Sequence, residues 1–194
     1  MMISERYEGK VFIADFTDYD SNTKAMLVPY KGVVVGEEDN GIIPSFVIHN
    51  ENGYPFIVIN NEHNPAMFKR SDGSKVSQCE CMVFAERNDN RKGWMCFLEL
   101  KYCEAKNRYA RMQEGIWQLK ETCNHIFREK QVFDASQFKK YLVISTPGVK
   151  PLDPFDEFYF DQDYLLTVQE ETGAFLRAVN EAWIKTPAVI ELKA

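Results

Sequence analysis

The chain has 194 residues, 45% hydrophobic and 13% aromatic, with a formal net charge of −6. That length and apolar content suit one compact domain with a full core, and the acidic balance excludes a protein that coats nucleic acid by charge alone. No run of about 20 apolar residues occurs, so no membrane-spanning helix is expected.

The first sixty residues read as β-structure. "KVFIADF", "AMLVPYKGVVVG", "IPSFVIHN" and "YPFIVIN" are short runs rich in Val, Ile, Phe and Tyr, bounded by Asp, Asn and Gly. "ENG" (51–53), between the last two, predicts a hairpin turn. A polar loop spans 60–75, with a helical turn after Pro65. "VSQCECMVFAE" and "WMCFLELKY", joined by "RNDNRKG", predict an antiparallel hairpin. Residues 104–130 predict a long helix, because Tyr109, Met112, Ile116, Leu119, Cys123 and Ile126 form one apolar stripe to lie on the sheet. "KKYLVISTPG" is a strand stopped by Pro147 and Gly148. The tail "DYLLTVQEETGAFLRAVNEAWI" reads as a hairpin turning at "EETG", with a second amphipathic helix as the alternative.

Charge is unevenly spread. Residues 66–112 hold ten Lys/Arg against six Asp/Glu, whereas 151–176 hold seven acids and no base. A basic centre between acidic flanks is compatible with a recessed anion site. The charged start "MMISERYEGK" lacks the apolar core of a secretory signal. The five cysteines suggest no disulfide framework, so a reducing, cytoplasmic setting is expected.

Glu-x-Lys occurs four times, at Glu8–Lys10, Glu99–Lys101, Glu104–Lys106 and Glu191–Lys193. Only the pair at 99–101 follows a strand with an isolated acid, Glu80 in "CECMVF", and precedes the long helix. Strand alternation puts Phe97, Glu99 and Lys101 on one face, and Cys96, Leu98 and Leu100 on the other. A hairpin register with Glu80 opposite Glu99 or Lys101 gathers the three charges, while the cysteines and leucines turn toward the helix. Two carboxylates and a lysine form a chemical kit. The acids suit Mg²⁺ or Mn²⁺, and the lysine orients a water or offsets charge on a phosphoryl group in transit. An ordinary exposed ion pair, worth under about 1 kcal/mol, is the bland alternative.

Glu80 on one strand, Glu99 and Lys101 in "FLELKYC" on its partner, and Gln118 in "IWQLK" on the following helix resemble the PD-(D/E)XK nuclease superfamily, the restriction-endonuclease-like fold. Glu80 stands where that superfamily more usually has Asp. The resemblance implies an α+β fold, a mixed β-sheet with a long helix packed on it. It further implies a Mg²⁺-dependent phosphodiesterase in which Glu80 and Glu99 hold the metal, Lys101 serves the attacking water and Gln118 steadies the site. An upstream acid is also implied, and Glu62 in "NNEHNP" is the candidate third ligand. The chain then divides into a β-rich elaboration (1–60), a nuclease core (60–146) and an acidic C-terminal hairpin or helix (150–194) within one domain. The implied partner is nucleic acid, DNA ahead of RNA. The rival is a non-catalytic protein of the same fold that binds a partner, with the acid- and aromatic-rich "DPFDEFYFDQDY" favouring a protein.

On the same helix Arg111, Gly115 and Gln118 share a face beside the apolar stripe, where a glycine permits close backbone approach. The cysteine spacing does not suit a zinc knuckle. No base can be set beside a thiol for nucleophilic chemistry, and His63, beside Glu62, reads first as a surface residue.

Overall fold

The computed structural model describes residues 2–23, 31–86, 91–149 and 161–193. In chain order these form β1 (Glu5–Tyr7), β2 (Val11–Asp15), α1 (Phe16–Thr23), β3 (Val33–Gly36), β4 (Phe46–His49) and β5 (Phe56–Asn60). After 3₁₀ turns at Asn61–His63 and Pro65–Phe68 come β6 (Cys81–Ala85), β7 (Gly93–Leu100) and α2 (Arg108–Asn124), which runs on into a π-turn at His125–Glu129. β8 (Phe138–Ser145), α3 (Gln162–Thr172), β9 (Ala174–Ala178), β10 (Glu181–Thr186) and β11 (Val189–Lys193) complete the set. Part of the expected strand at 25–36, part of the loop 87–93 and most of the acid-aromatic stretch 153–164 lie outside the described residues.

The architecture is mixed α+β, in three layers. A six-stranded sheet, ordered β1-β5-β6-β7-β8-β9, lies between a five-stranded sheet, ordered β11-β10-β4-β2-β3, and the helices α2 and α3. β5, β6 and β7 are antiparallel neighbours, whereas β7, β8 and β9 run parallel and are joined through α2 and α3. One core lies between the sheets, where Cys81, Val83, Cys96, Leu98 and Leu100 meet Ile13, Phe46, Ile48 and Ala182. The other lies under the helices, where Met82, Met95, Phe97 and Ile144 meet Met112, Ile116, Leu119 and Val168. Each large apolar side chain so buried contributes about 1.5–3 kcal/mol.

β7 explains why its face was hard to read. All eight of its residues are buried, as expected of a central strand covered on both sides, and such a strand is a continuous apolar run. Its alternation is as expected, but the assignment of faces is reversed. Met95 and Phe97 pack under α2, while Cys96, Leu98 and Leu100 face the second sheet. The charged residues therefore lie on the helix side, not the cysteines and leucines. The reason is the second sheet, which covers that face of the strand and takes Trp94, Cys96, Leu98 and Leu100 into its core.

Three further expectations are corrected. "ENG" makes a turn, but β4 and β5 are not hairpin partners; they belong to different sheets. Asn50 shapes that turn by accepting from the Tyr54 amide (3.1 Å), and Gly53 takes a φ of 65°. The stripe of α2 starts at Met112, because Tyr109 lies in the first turn and is 51% exposed. The tail is not a hairpin at "EETG" but a helix followed by a strand, which is the alternative reading for its first half. Asp161 caps α3 by accepting from the Tyr164 amide (2.7 Å). Gly173 ends α3 in the left-handed region (φ 66°), its N–H bonded to Gln169 O at 2.7 Å. The glycine thus terminates a helix instead of interrupting one. Gly173→Ala is expected to lower stability by about 1–2 kcal/mol, measured as a drop in the urea midpoint with unchanged slope.

Candidate functional site

Glu99 is the penultimate residue of β7, and Lys101 follows directly after the strand. Glu99 is fully buried and Lys101 is 4% exposed, with Nζ 2.6 Å from Oε1. The Lys101 amide donates to Ser145 O (2.8 Å), tying this end of the strand to β8. The other copies of the pattern differ in kind. Glu104–Lys106 and Glu191–Lys193 are pairs at 2.6 and 2.9 Å between solvent-exposed side chains, and the Lys10 ammonium lies over the Phe12 ring. Burying an ion pair costs several kcal/mol per ion, which a 2.6 Å contact offsets only in part. The 99–101 pair is therefore not the cheap surface bridge that the pattern alone suggests.

Glu80 immediately precedes β6. The register pairs Cys81 with Leu98 and Met82 with Phe97, so one step further sets Glu80 level with Glu99. The half-buried Glu80 carboxyl is held well above the usual carboxylate range, by burial first and by the charge of Glu99 next. Lys101 acts on it in the opposite sense. The three residues singled out in the sequence thus share one face and one electrostatic neighbourhood.

α2 closes over them. A Cβ on Gly115 would lie 2.5 Å from Ile144 Cδ1, 3.0 Å from Glu99 Cγ and 3.3 Å from Lys101 Cε. Only a residue without a side chain lets the helix backbone sit this close to the ion pair. One turn earlier, Arg111 pairs with Asp18 of α1 and with Glu114 (2.5 Å). One turn later, Gln118 donates to Gln78 O (3.4 Å), two residues before Glu80. Glu62 is placed differently. It is exposed on its 3₁₀ turn, and its Oε2 accepts from the Val33 amide at 2.9 Å. Its charge is felt by Glu80 and Asp15, but the carboxylate is occupied. Exposed His63 lines a separate cleft of about 290 Å³ with Ile3, Lys31, Val33 and Asn60.

Two acids were missed from the sequence. Asp15 caps α1 by accepting from the amides of Thr17 (2.8 Å) and Asp18 (3.1 Å). Asp18 Oδ2 accepts from the Tyr102 amide (2.8 Å), so the start of α1 is pinned to the end of β7. Both charges act on Glu99. The available signal was the Asp-x-x-Asp spacing in "DFTD", a helix-start pattern at the end of what reads as a strand.

Unpaired polar atoms concentrate here. Glu99 Oε2, Arg111 Nε, Gln118 Oε1 and Asn61 Oδ1 are buried without a hydrogen-bond partner among the described residues. Buried polar groups in native proteins are paired in roughly 90% or more of cases. An orphan oxygen on the buried Glu99 carboxylate is what a cation with its waters would satisfy. Among the described residues no three His, Cys, Asp or Glu side chains come together as a ready ligand set. The acids at hand are the adjacent pair Glu80 and Glu99. A pair fits Mg²⁺, a hard cation that binds through one or two carboxylates and keeps several waters.

Burial pushes the Glu99 carboxyl up to about 8, against the pull of Lys101. Burial also raises Asp15. For Lys101 burial acts downward, but Glu99 outweighs it and holds the ammonium above its usual value. A carboxyl raised in the folded chain binds its proton more tightly there. Its stabilisation is full below the unfolded value near 4.5 and is lost as pH rises through about 8. Stability should therefore fall between pH 5 and 8, and Glu99→Gln should flatten that slope in urea titrations at several pH values. Gly115→Ala gains about 1 kcal/mol of helix propensity but overpacks a buried contact at about 1–3 kcal/mol. A net loss near 1 kcal/mol is expected by the same measurement.

The chain matches no protein-family model, no curated protein and no solved structure, so the chemistry of this site is argued from its own residues.

Proposed function

We propose that the protein is a metal-dependent phosphodiester hydrolase of the nuclease type, with nucleic acid as substrate and DNA ahead of RNA. The observation that carries this reading is the convergence of Glu80 with the buried Glu99–Lys101 pair beneath Gly115 of α2. The restriction-endonuclease-like fold belongs to the same proposal. It is supported by a mixed sheet in which the β6–β7 hairpin brings the acids together and a long helix packs over them.

In this reading Glu80 and Glu99 hold Mg²⁺ or Mn²⁺, which when bound polarises a phosphoryl oxygen and lowers the pKa of a water. Lys101 keeps its ammonium charged beside Glu99, where it orients the attacking water and offsets negative charge developing on the phosphoryl group. Gln118 presents its unpaired amide oxygen from the helix. Arg111, clasped by Asp18, fixes α1 against α2 at the edge of the site.

A second reading is favoured by one specific observation: Glu99 has no solvent exposure at all. A nuclease-fold protein kept for binding, without turnover, would tolerate such closure. The acid-aromatic stretch that would recruit a protein partner lies mostly outside the described residues.

Wild-type protein should cleave DNA only with Mg²⁺ or Mn²⁺ present, and Lys101→Ala should cut at least 100-fold more slowly while keeping its far-ultraviolet circular dichroism. Calorimetry should show Mn²⁺ binding that Glu99→Gln abolishes. Binding without cleavage of any DNA or RNA substrate would select the second reading, and absence of both would remove the catalytic one.

A further inference from the structure

Glu80 belongs to a stretch that the sheet alone does not hold. Residues 77–80 precede β6 and lie in no strand, yet they are gripped from two sides. From the end of β5, the Asn61 amide N–H donates to Glu80 O (2.9 Å), and the Asn61 side-chain Nδ2 donates to Cys79 O (2.7 Å). From α2, Thr122 Oγ1 accepts from the Cys79 amide (2.8 Å) and donates to Gln118 O one turn earlier (2.8 Å). Asn61 and Thr122 are both fully buried. Asn61 keeps its place although its Oδ1 finds no partner among the described residues. A buried orphan oxygen is costly, a cost that a residue serving only to fill space would shed.

We infer that Asn61 and Thr122 are positioning residues that clasp the Cys79–Glu80 peptide and so aim the Glu80 carboxylate at Glu99 and Lys101. The inference rests on the hydrolase reading for its consequence, but not for the clasp itself. Asn61 fixes the peptide from the sheet side through both carbonyls. Thr122 fixes it from the helix side through the Cys79 amide that precedes both carbonyls, on the same helix that lays Gly115 over the ion pair. The effect of both residues passes through the backbone of residue 80, and a carboxylate misplaced by about 1 Å is enough to weaken a shared ion.

The test uses full-length protein and two readouts. Thr122→Val is nearly isosteric and removes the acceptor, Thr122→Ser restores it, and Asn61→Ala removes the side-chain bond to Cys79 O while leaving the backbone bond to Glu80 O. Amide exchange at Cys79, which needs no metal, should speed at least tenfold in Thr122→Val and stay at the wild-type rate in Thr122→Ser. Mn²⁺ affinity by calorimetry should fall at least tenfold in Thr122→Val and in Asn61→Ala, with Thr122→Ser again like wild type. Unchanged exchange in Thr122→Val overturns the clasp. Faster exchange with wild-type Mn²⁺ affinity overturns its role in aiming Glu80. Wild-type protein that binds no Mn²⁺ removes the hydrolase reading and with it that role, while exchange still decides whether the clasp exists.

Discussion

The structure turns on a single buried contact, the ammonium of Lys101 against the carboxylate of Glu99 where β7 passes under α2. A charge pair at this depth is a poor source of stability, because desolvation takes back most of what attraction supplies. Hydrophobic residues of similar size would fill the space more cheaply, and the rest of β7 shows that the fold has such residues to spare. The pair constrains everything around it. It requires a helix without a side chain at position 115, and it sits beside a strand that enters with an acid and keeps a carboxylate oxygen without a hydrogen-bond partner among the described residues.

The three-layer arrangement makes that placement possible. Covering the far face of the central sheet with a second sheet lets β7 be apolar on both sides along most of its length. The ion pair comes only at the end of the strand, where α1 arrives with Asp15 and Asp18 and where the parallel ladder with β8 finishes. The polar residues of the site thus come from five separate pieces of chain: β7 and the residue after its neighbour, the stretch before β6, the turn after β5, the start of α1 and one face of α2. No local segment contains the site.

Much of this was legible in the sequence. The hairpin of β6 and β7, the helix and its stripe, β8 and the shared face of Glu80, Glu99 and Lys101 all follow from periodicity and turn residues. The close approach at Gly115 was readable from a glycine set between Arg111 and Gln118. What could not be read has definite causes. Which side of β7 faces the helix was hidden, because both sides are apolar and alternation carries no sign. The separate sheets of β4 and β5 were hidden because a turn looks the same whether its strands pair or part. α3 was misread because a glycine after two acids and a threonine suits a hairpin as well as a helix end. Asp15 and Asp18 were passed over because the helix that one caps and the other opens has only eight residues and lies inside a β-like region. Glu62 lies on the 3₁₀ turn after β5, where one of its oxygens accepts from the Val33 amide.

The pairing of β10 with β4 has a consequence for how the chain is made. β4 lies at Phe46–His49, and its parallel neighbour begins at Glu181. During synthesis the first sheet-forming half emerges from the ribosome long before that neighbour exists. Until then one edge of β4 stays open, its backbone groups without their parallel neighbour. Long-range closure of this kind slows folding and leaves a sticky intermediate. Nascent chains halted before Glu181 should therefore need a chaperone, although Glu80, Glu99, Lys101 and the helix that covers them have by then been translated.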